Sequence, residues 1–363
     1  MKNKSIDYKI KNSLISVKPY IYTEPSISVI SLRMLILLFV QILVLIFTKS
    51  FDAIKVIGFS TAGTLLASVF CQLITKRQPY HFLTVVLQGV LFGMLLPETF
   101  PIVSVLSISF FIYFALILFV AKNVNTWVNV VSICVILAWI IGRDFFPEFI
   151  LTKDLLQLKN PSVLLIKEGA FPIYNFDVTI TEVLNNSLFN NLKVTLPTGY
   201  LSLLWDSHSI IPAFRFNLLT IVSSIILYSD DSYSGIIPST FLIVYSLLVR
   251  CFVPFMAGGM FNQGDVILAL LTSGTLFCAV FLIQWFGTTP FSLIGKIVYG
   301  ILCGIVAFLI VGCGNSPIGM VYTILICNVL NMMIRIIEEK IKLKSMKSNL
   351  AKIQEENKLD EDK

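Results

Sequence analysis

Apolar residues run in near-continuous blocks close to positions 34–48, 56–75, 81–96, 101–121 and 127–142, and again close to 209–229, 235–256, 265–286, 292–313 and 317–336. Each block approaches the roughly 20 residues with which an α-helix crosses the hydrocarbon layer. Charges and turn formers fall between them: Lys49, Asp52 and Lys55; Lys76-Arg77; Pro97-Glu98-Thr99-Phe100-Pro101; Lys122-Asn123. The pattern predicts an all-α polytopic membrane protein with ten transmembrane helices. Its layout is a polar arm at 1–33, a five-helix half at 34–142, a loop at 143–207, a second five-helix half at 208–336 and a charged tail at 337–363.

Composition sharpens this reading. Of the 363 residues 56% are hydrophobic and only 13% charged, about half the charged share of a soluble domain, so a water-soluble fold is excluded. The net charge of +6 is small and dispersed, which argues against nucleic acid as a partner and leaves the lipid membrane. The seven cysteines are scattered singly beside only two histidines, His81 and His208, so no metal site of its own is expected.

Lys and Arg collect on cytoplasmic flanks of membrane helices. With the N-terminus inside, those flanks hold the arm, Lys76-Arg77, Lys122, Lys296 and the cluster from Arg335 to Lys347, while the short outer loops hold only Lys49 and Lys55. Asp230-Asp231 also falls inside, which matters little because acidic residues weigh lightly in this rule. An even number of crossings then places both termini in the cytoplasm. The 143–207 loop, with five basic and seven acidic residues, is expected outside.

The two halves share short patterns. Leu83-Thr84-Val85-Val86-Leu87-Gln88-Gly89-Val90-Leu91-Phe92 matches Leu268-Ala269-Leu270-Leu271-Thr272-Ser273-Gly274-Thr275-Leu276-Phe277 in its Gly-x-Leu-Phe, and Ile133-Cys134-x-x-Leu137 matches Ile326-Cys327-x-x-Leu330. Five helices per half is an odd number, so duplicated halves would insert with opposite orientation, and a ligand is expected where they meet. Ionisable residues inside the bilayer cost roughly 2.5 to 3.5 kcal/mol at a helix centre. Arg215 and Arg250 are therefore either structurally paired or anion contacts, the guanidinium fork being suited to phosphate. Asp265, after the glycine-containing loop Gly258-Gly259-Met260-Phe261-Asn262-Gln263-Gly264, is either a helix-start residue or part of a binding site. Phosphate-binding loops, nucleophile elbows and paired zinc histidines are absent, so redox chemistry would need a bound cofactor.

The stretch Gly264-Asp265-Val266-Ile267-Leu268-Ala269-Leu270-Leu271-Thr272-Ser273-Gly274-Thr275-Leu276-Phe277, with Thr288-Thr289-Pro290, Gly314-Asn315-Ser316-Pro317-Ile318-Gly319-Met320-Val321-Tyr322 and Asn328-Val329, resembles the closing helices of the RnfD/NqrB family. Gly89-Val90-Leu91-Phe92-Gly93-Met94-Leu95-Leu96-Pro97 is similar to that family's Thr-Gly-Leu-Leu-Leu-x-Leu-Leu-Pro segment. The resemblance implies ten helices in two inverted five-helix repeats, and a subunit of an Rnf-type complex in the bacterial cytoplasmic (inner) membrane. Such a complex moves Na+ or H+ as electrons pass between ferredoxin and NAD. The subunit is not catalytic alone and works with iron–sulfur, flavin and membrane subunits.

The resemblance also implies FMN, joined through its phosphate to a threonine of a Ser/Thr-Gly-Ala-Thr motif on the outer side, and a second, non-covalent flavin. That motif is not intact here. Asp177-Val178-Thr179-Ile180-Thr181-Glu182 leaves Thr181 as the positional candidate, and Ser273-Gly274-Thr275 corresponds to a different, helix-embedded motif of the eighth span, which brings in Thr275. Thr181, Arg215, Asp265 and Thr275 are thus the candidate cofactor-binding residues. At Asn123-Val124-Asn125-Thr126-Trp127 the two prolines of the family's Asn-Pro-Phe-Asn-Pro-Ala are missing. A secondary transporter would also explain inverted halves and intramembrane arginines, without a redox role.

Overall fold

A computed structural model describes residues 26–361 apart from 77–80, 124–127, 149–151, 192–194, 230–232 and 315. The arm before residue 26, most of the Asn123 to Trp127 stretch, Asp230-Asp231 and Asn315 lie outside the described residues. The described chain is mostly helical, with no strand among the described residues.

The first apolar blocks form α1 (Ile27–Phe47), α2 (Phe51–Thr75), α3 (Phe82–Met94), α4 (Ile102–Asn123) and α5 (Val130–Ile141). The connecting segment is itself folded into short helices, α6 (Lys153–Gln157), α7 (Pro161–Lys167), α8 (Asn175–Leu184) and α9 (Tyr200–Trp205). Then come α10 (Asn217–Tyr228), α11 (Ile236–Ala257), α12 (Val266–Leu271), α13 (Thr275–Phe281), α14 (Leu293–Ala307, ending in a π turn at Phe308–Gly312) and α15 (Gly319–Glu361). Among the described residues, five helices are long and apolar enough to cross a bilayer: Ile27–Phe47, Phe51–Thr75, Ile236–Ala257, Leu293–Gly312 and the first part of α15. Their outward residues, such as Phe47 and Leu73, are exposed apolar side chains of the kind lipid covers.

Helix α3 has 13 residues and rises only about 20 Å, short of a crossing by itself. The block at 265–286 is two helices rather than the single one its hydrophobicity predicts. Gly274 takes φ +67 at the break, and the hydroxyls of Thr272 and Ser273 donate to the carbonyls of Leu268 and Ala269. Freed backbone groups in a membrane interior need partners. Asn217 Nδ2 donates to Leu271 O at 2.9 Å at the break, and Asn129 Nδ2 donates to Leu282 O at 3.2 Å where α13 ends, so carbonyls at the C-terminal ends of both α12 and α13 are satisfied from elsewhere in the chain.

Packing is close where glycines stand four apart. A Cβ on Gly89 would lie 2.8 Å from Thr61 Cα and one on Gly93 2.7 Å from Ile57 Cα, which lets α3 rest on α2. In the other half, a Cβ on Gly300 would lie 2.9 Å from Ile237 O and one on Gly304 3.2 Å from Phe241 O, bringing α14 onto α11. Helix α2 also packs on α4, and α5 packs on α15. Buried hydrogen bonds join α1 to both halves: Ser31 to Thr84 at 3.2 Å, and Gln41 Nε2 to Thr220 Oγ1 at 3.3 Å.

The tail helix is tied down where it leaves the bundle. Glu338 accepts from the backbone N–H groups of Phe291 and Ser292, both at 3.0 Å, and Arg335 donates to Thr289 O and lies over the Phe291 ring. Glu338 thus caps α14 from outside its own helix. Glu338→Ala is expected to cost about 1 kcal/mol, read as earlier thermal unfolding in detergent and faster proteolysis of the tail.

Candidate functional site

The segment from Arg143 to Phe216 covers one end of the bundle, and its conformation is set by carboxylates. Asp177, on α8, is fully buried. Its Oδ1 accepts from Thr181 Oγ1 at 2.8 Å, one helical turn on, and its Oδ2 accepts from Gly199 N at 3.0 Å, Ser202 N at 2.6 Å and Ser202 Oγ at 2.7 Å. Burial pushes this carboxyl up, but the bonds from Ser202, Gly199 and Thr181 outweigh it and hold it below its ordinary value. A depressed folded-state value means stability that is complete above the unfolded pKa of about 3.9 and lost as pH falls through the folded value. Acid unfolding should therefore steepen below about pH 4, and Asp177→Asn should flatten that limb in a detergent-solubilised pH titration.

A second node lies at the end of α9. Arg215 Nε donates to Asp206 Oδ1 at 3.0 Å, Nη2 to Oδ2 at 2.6 Å and Nη1 to Ser50 Oγ at 2.5 Å, in the turn between α1 and α2. Both partners of this two-pronged pair are buried, at 7% exposure for Arg215 and 1% for Asp206. Asp206 also accepts from the backbone N–H of His208 at 2.8 Å and fixes that residue at φ +53, a left-handed conformation uncommon for a side-chain-bearing residue. The His208 ring lies against Tyr174, with Nε2 at 3.4 Å from the phenol oxygen.

A third node holds the start of the broken eighth segment. Asp265 caps α12, Oδ1 accepting from Leu268 N at 3.0 Å, while Oδ2 accepts from Ser162 N at 2.9 Å and from the Ser162 hydroxyl. Ser162 Oγ in turn lies 3.1 Å from Tyr200 Oη. Burial raises the Tyr200 phenol, with Asp265 adding to the effect and Ser162 opposing it.

Helix α9 is the hub of this arrangement. Through Tyr200, Ser202 and the Asp206 that follows it, six helical residues connect the networks of Asp265, Thr181 and Arg215. Thr275 stands apart at the break, fully buried, its hydroxyl 2.5 Å from Ser273 Oγ. Arg250 donates to Gly264 O at 2.9 Å and fastens the loop before α12. Asp206, Ser202 and His208 carry no sequence signal that marks them as site residues. Asp177 and Thr181 stand one turn apart, a spacing that could have paired them.

Between this cover and the bundle lies a cavity of about 350 Å³. Phe171, Ile210, Ile211, Phe214 and Leu268 give it apolar walls, and Glu148, His208 and Thr272 supply polar groups. It adjoins a wider recess of about 790 Å³, bordered by Trp139, Arg143, Asp144 and Tyr322, with which it shares Pro147, Glu148 and Pro317. The Arg143 guanidinium lies over the Trp139 ring at 5.4 Å. Volume and lining suit a mainly apolar small organic ligand. A phosphate-linked flavin does not fit Thr181, whose hydroxyl is buried away from the cavity walls and bonded to Asp177, and Arg215 has its guanidinium nitrogens engaged by Asp206 and Ser50.

Fold and site define a multi-pass helical membrane protein with an interrupted helix beneath a folded polar cover. The chain belongs to the NQR2, RnfD, RnfE family, whose model it matches over residues 14–344. No individual curated protein matches it. Membership makes it a membrane protein of the kind found in Rnf- and Nqr-type complexes.

Proposed function

We propose that the chain is the RnfD-type membrane subunit of an ion-translocating electron transport complex, in which electron transfer between ferredoxin and NAD drives Na+ or H+ across the membrane. The family match over residues 14–344 carries this reading. Iron–sulfur, flavin and other membrane subunits are its partners, and both termini face the cytoplasm of the bacterial inner membrane. The ten-crossing inverted-repeat architecture is supported by matched features of the halves: a short α3 and an interrupted α12–α13, and α2 against α4 as α11 is against α14.

A flavin would supply one-electron chemistry within the subunit. The chain's own contribution is an apolar-walled cavity, His208 held by Asp206, and the interrupted helix whose first turn Asp265 fixes. The test is affinity purification of the tagged chain from its native membranes. Co-purification of iron–sulfur and flavin subunits, with ferredoxin-dependent NAD reduction lost on deletion of the chain, is expected. A chain that purifies alone from membranes retaining that activity would overturn the proposal.

A further inference from the structure

Helices α1 and α10, the first long helix of each half, lie against each other in opposite directions. Gln41 Nε2 on α1 donates to Thr220 Oγ1 on α10 at 3.3 Å. Toward the start of α1 a groove of about 390 Å³ opens between them, with Ile36 and Leu37 on one side and Ile226 and Leu227 on the other. About one turn nearer the start of α1 stands Arg33, the one charge among the described lining residues. It is exposed and lies six residues into the helix, about 9 Å along the axis, a depth from which a long side chain reaches the headgroup level.

The hydroxyls of Ser229 and Tyr233, which also line the groove, donate to the carbonyls of Ile226 and Gln284, both at 2.8 Å, so the guanidinium defines the polar end. Arg33 also interacts within the chain, and five N–H donors in a fork let one guanidinium serve that contact and a phosphate together. Aliphatic walls at membrane depth are covered by a lipid chain or by another helix. Two turns of an α-helix about 10 Å across enclose roughly 800 Å³, which overfills the groove, whereas an acyl chain is narrow enough to lie in it.

We propose that the groove between α1 and α10 binds one anionic phospholipid, its acyl chain along Ile36, Leu37, Ile226 and Leu227 and its phosphate on Arg33. The site requires only that these helices cross the membrane and stands apart from the electron-transport reading. A lipid that touches both halves binds the folded chain and not the unfolded one, so it should raise the melting temperature as its concentration rises.

The experiment uses the full chain, delipidated in detergent and titrated with phosphatidylglycerol or phosphatidylcholine, with native mass spectrometry reading the bound lipid. Phosphatidylglycerol is expected to bind about fivefold more tightly and to raise the melting temperature further. Arg33→Gln should remove that preference and leave phosphatidylcholine unchanged, while Arg33→Lys, which keeps the charge, should retain most of it. Ile226→Trp, at an exposed position, should fill the groove and weaken both lipids, whereas Leu73→Trp, exposed on α2, should change neither. Glycerol 3-phosphate, a headgroup without a chain, should not compete.

Equal binding of the two lipids, or a preference that survives in Arg33→Gln, overturns the phosphate contact. Unchanged binding in Ile226→Trp overturns the groove as the site. Competition by glycerol 3-phosphate at matched concentration would show a phosphate site that needs no lipid and would equally contradict the proposal.

Discussion

Arg215→Met is expected to destabilise the protein by about 3–5 kcal/mol, because it leaves the Asp206 carboxylate buried without its charge partner. Asp206 is 1% exposed and the guanidinium engages both of its oxygens, so no rearrangement of the side chain alone brings it to water. The consequences reach further than the pair. Arg215 also holds Ser50, between the first two helices, and Asp206 holds the His208 backbone, so the variant should loosen the cover from the bundle and His208 from the cavity. Thermal unfolding in detergent gives the loss. Adding Asp206→Asn should recover part of it, since the uncompensated charge is then gone; equal losses in the single and double variants would show that the pair acts only through packing.

Gly274→Ala is expected to cost about 2–4 kcal/mol through two additive effects. A side chain at φ +67 carries the left-handed penalty, and the new Cβ would sit 2.0 Å from the ring of Phe214. That ring is buried and forms a wall of the cavity, so it can yield only by moving into it. The variant should therefore lose both stability and ligand capacity, whereas Gly58→Ala, with open space around its Cβ position, should leave both unchanged. Melting temperature and flavin titration on the two variants read this contrast.

The helical bundle is legible in the sequence because membrane helices announce themselves by uninterrupted hydrophobicity. The division of the eighth block is not, because Thr272 and Ser273 look like ordinary small polar residues until their hydroxyls are seen bonded to the carbonyls one turn back. Gly274 was visible, but hydrophobic continuity on both sides outweighed it.

The candidate site was legible residue by residue and not as a network. Arg215 stood out because an arginine in an apolar block needs a partner. Asp206, nine positions away across an irregular turn, follows no helical spacing and could not be assigned to it from sequence. Thr181 is marked in the sequence only by its position relative to a family motif. Its role in the fold, donating to Asp177, follows from a four-residue spacing that pairs the two once residues 175–184 are read as a helix rather than as loop. His208 carried no signal at all, since its place on the cavity wall depends on a backbone conformation fixed from Asp206.

The central claim is that the cover formed by residues 143–216 lies outside the cytoplasm and the tail inside. Cysteines introduced singly at the exposed positions Ser187 and Ser345 and treated with a membrane-impermeant maleimide in intact cells test it most directly. The seven native cysteines are buried or half-buried and set the background. Ser187→Cys should label at once and Ser345→Cys only after the membrane is opened. Labelling of Ser345→Cys in intact cells, with Ser187→Cys protected, would contradict the account.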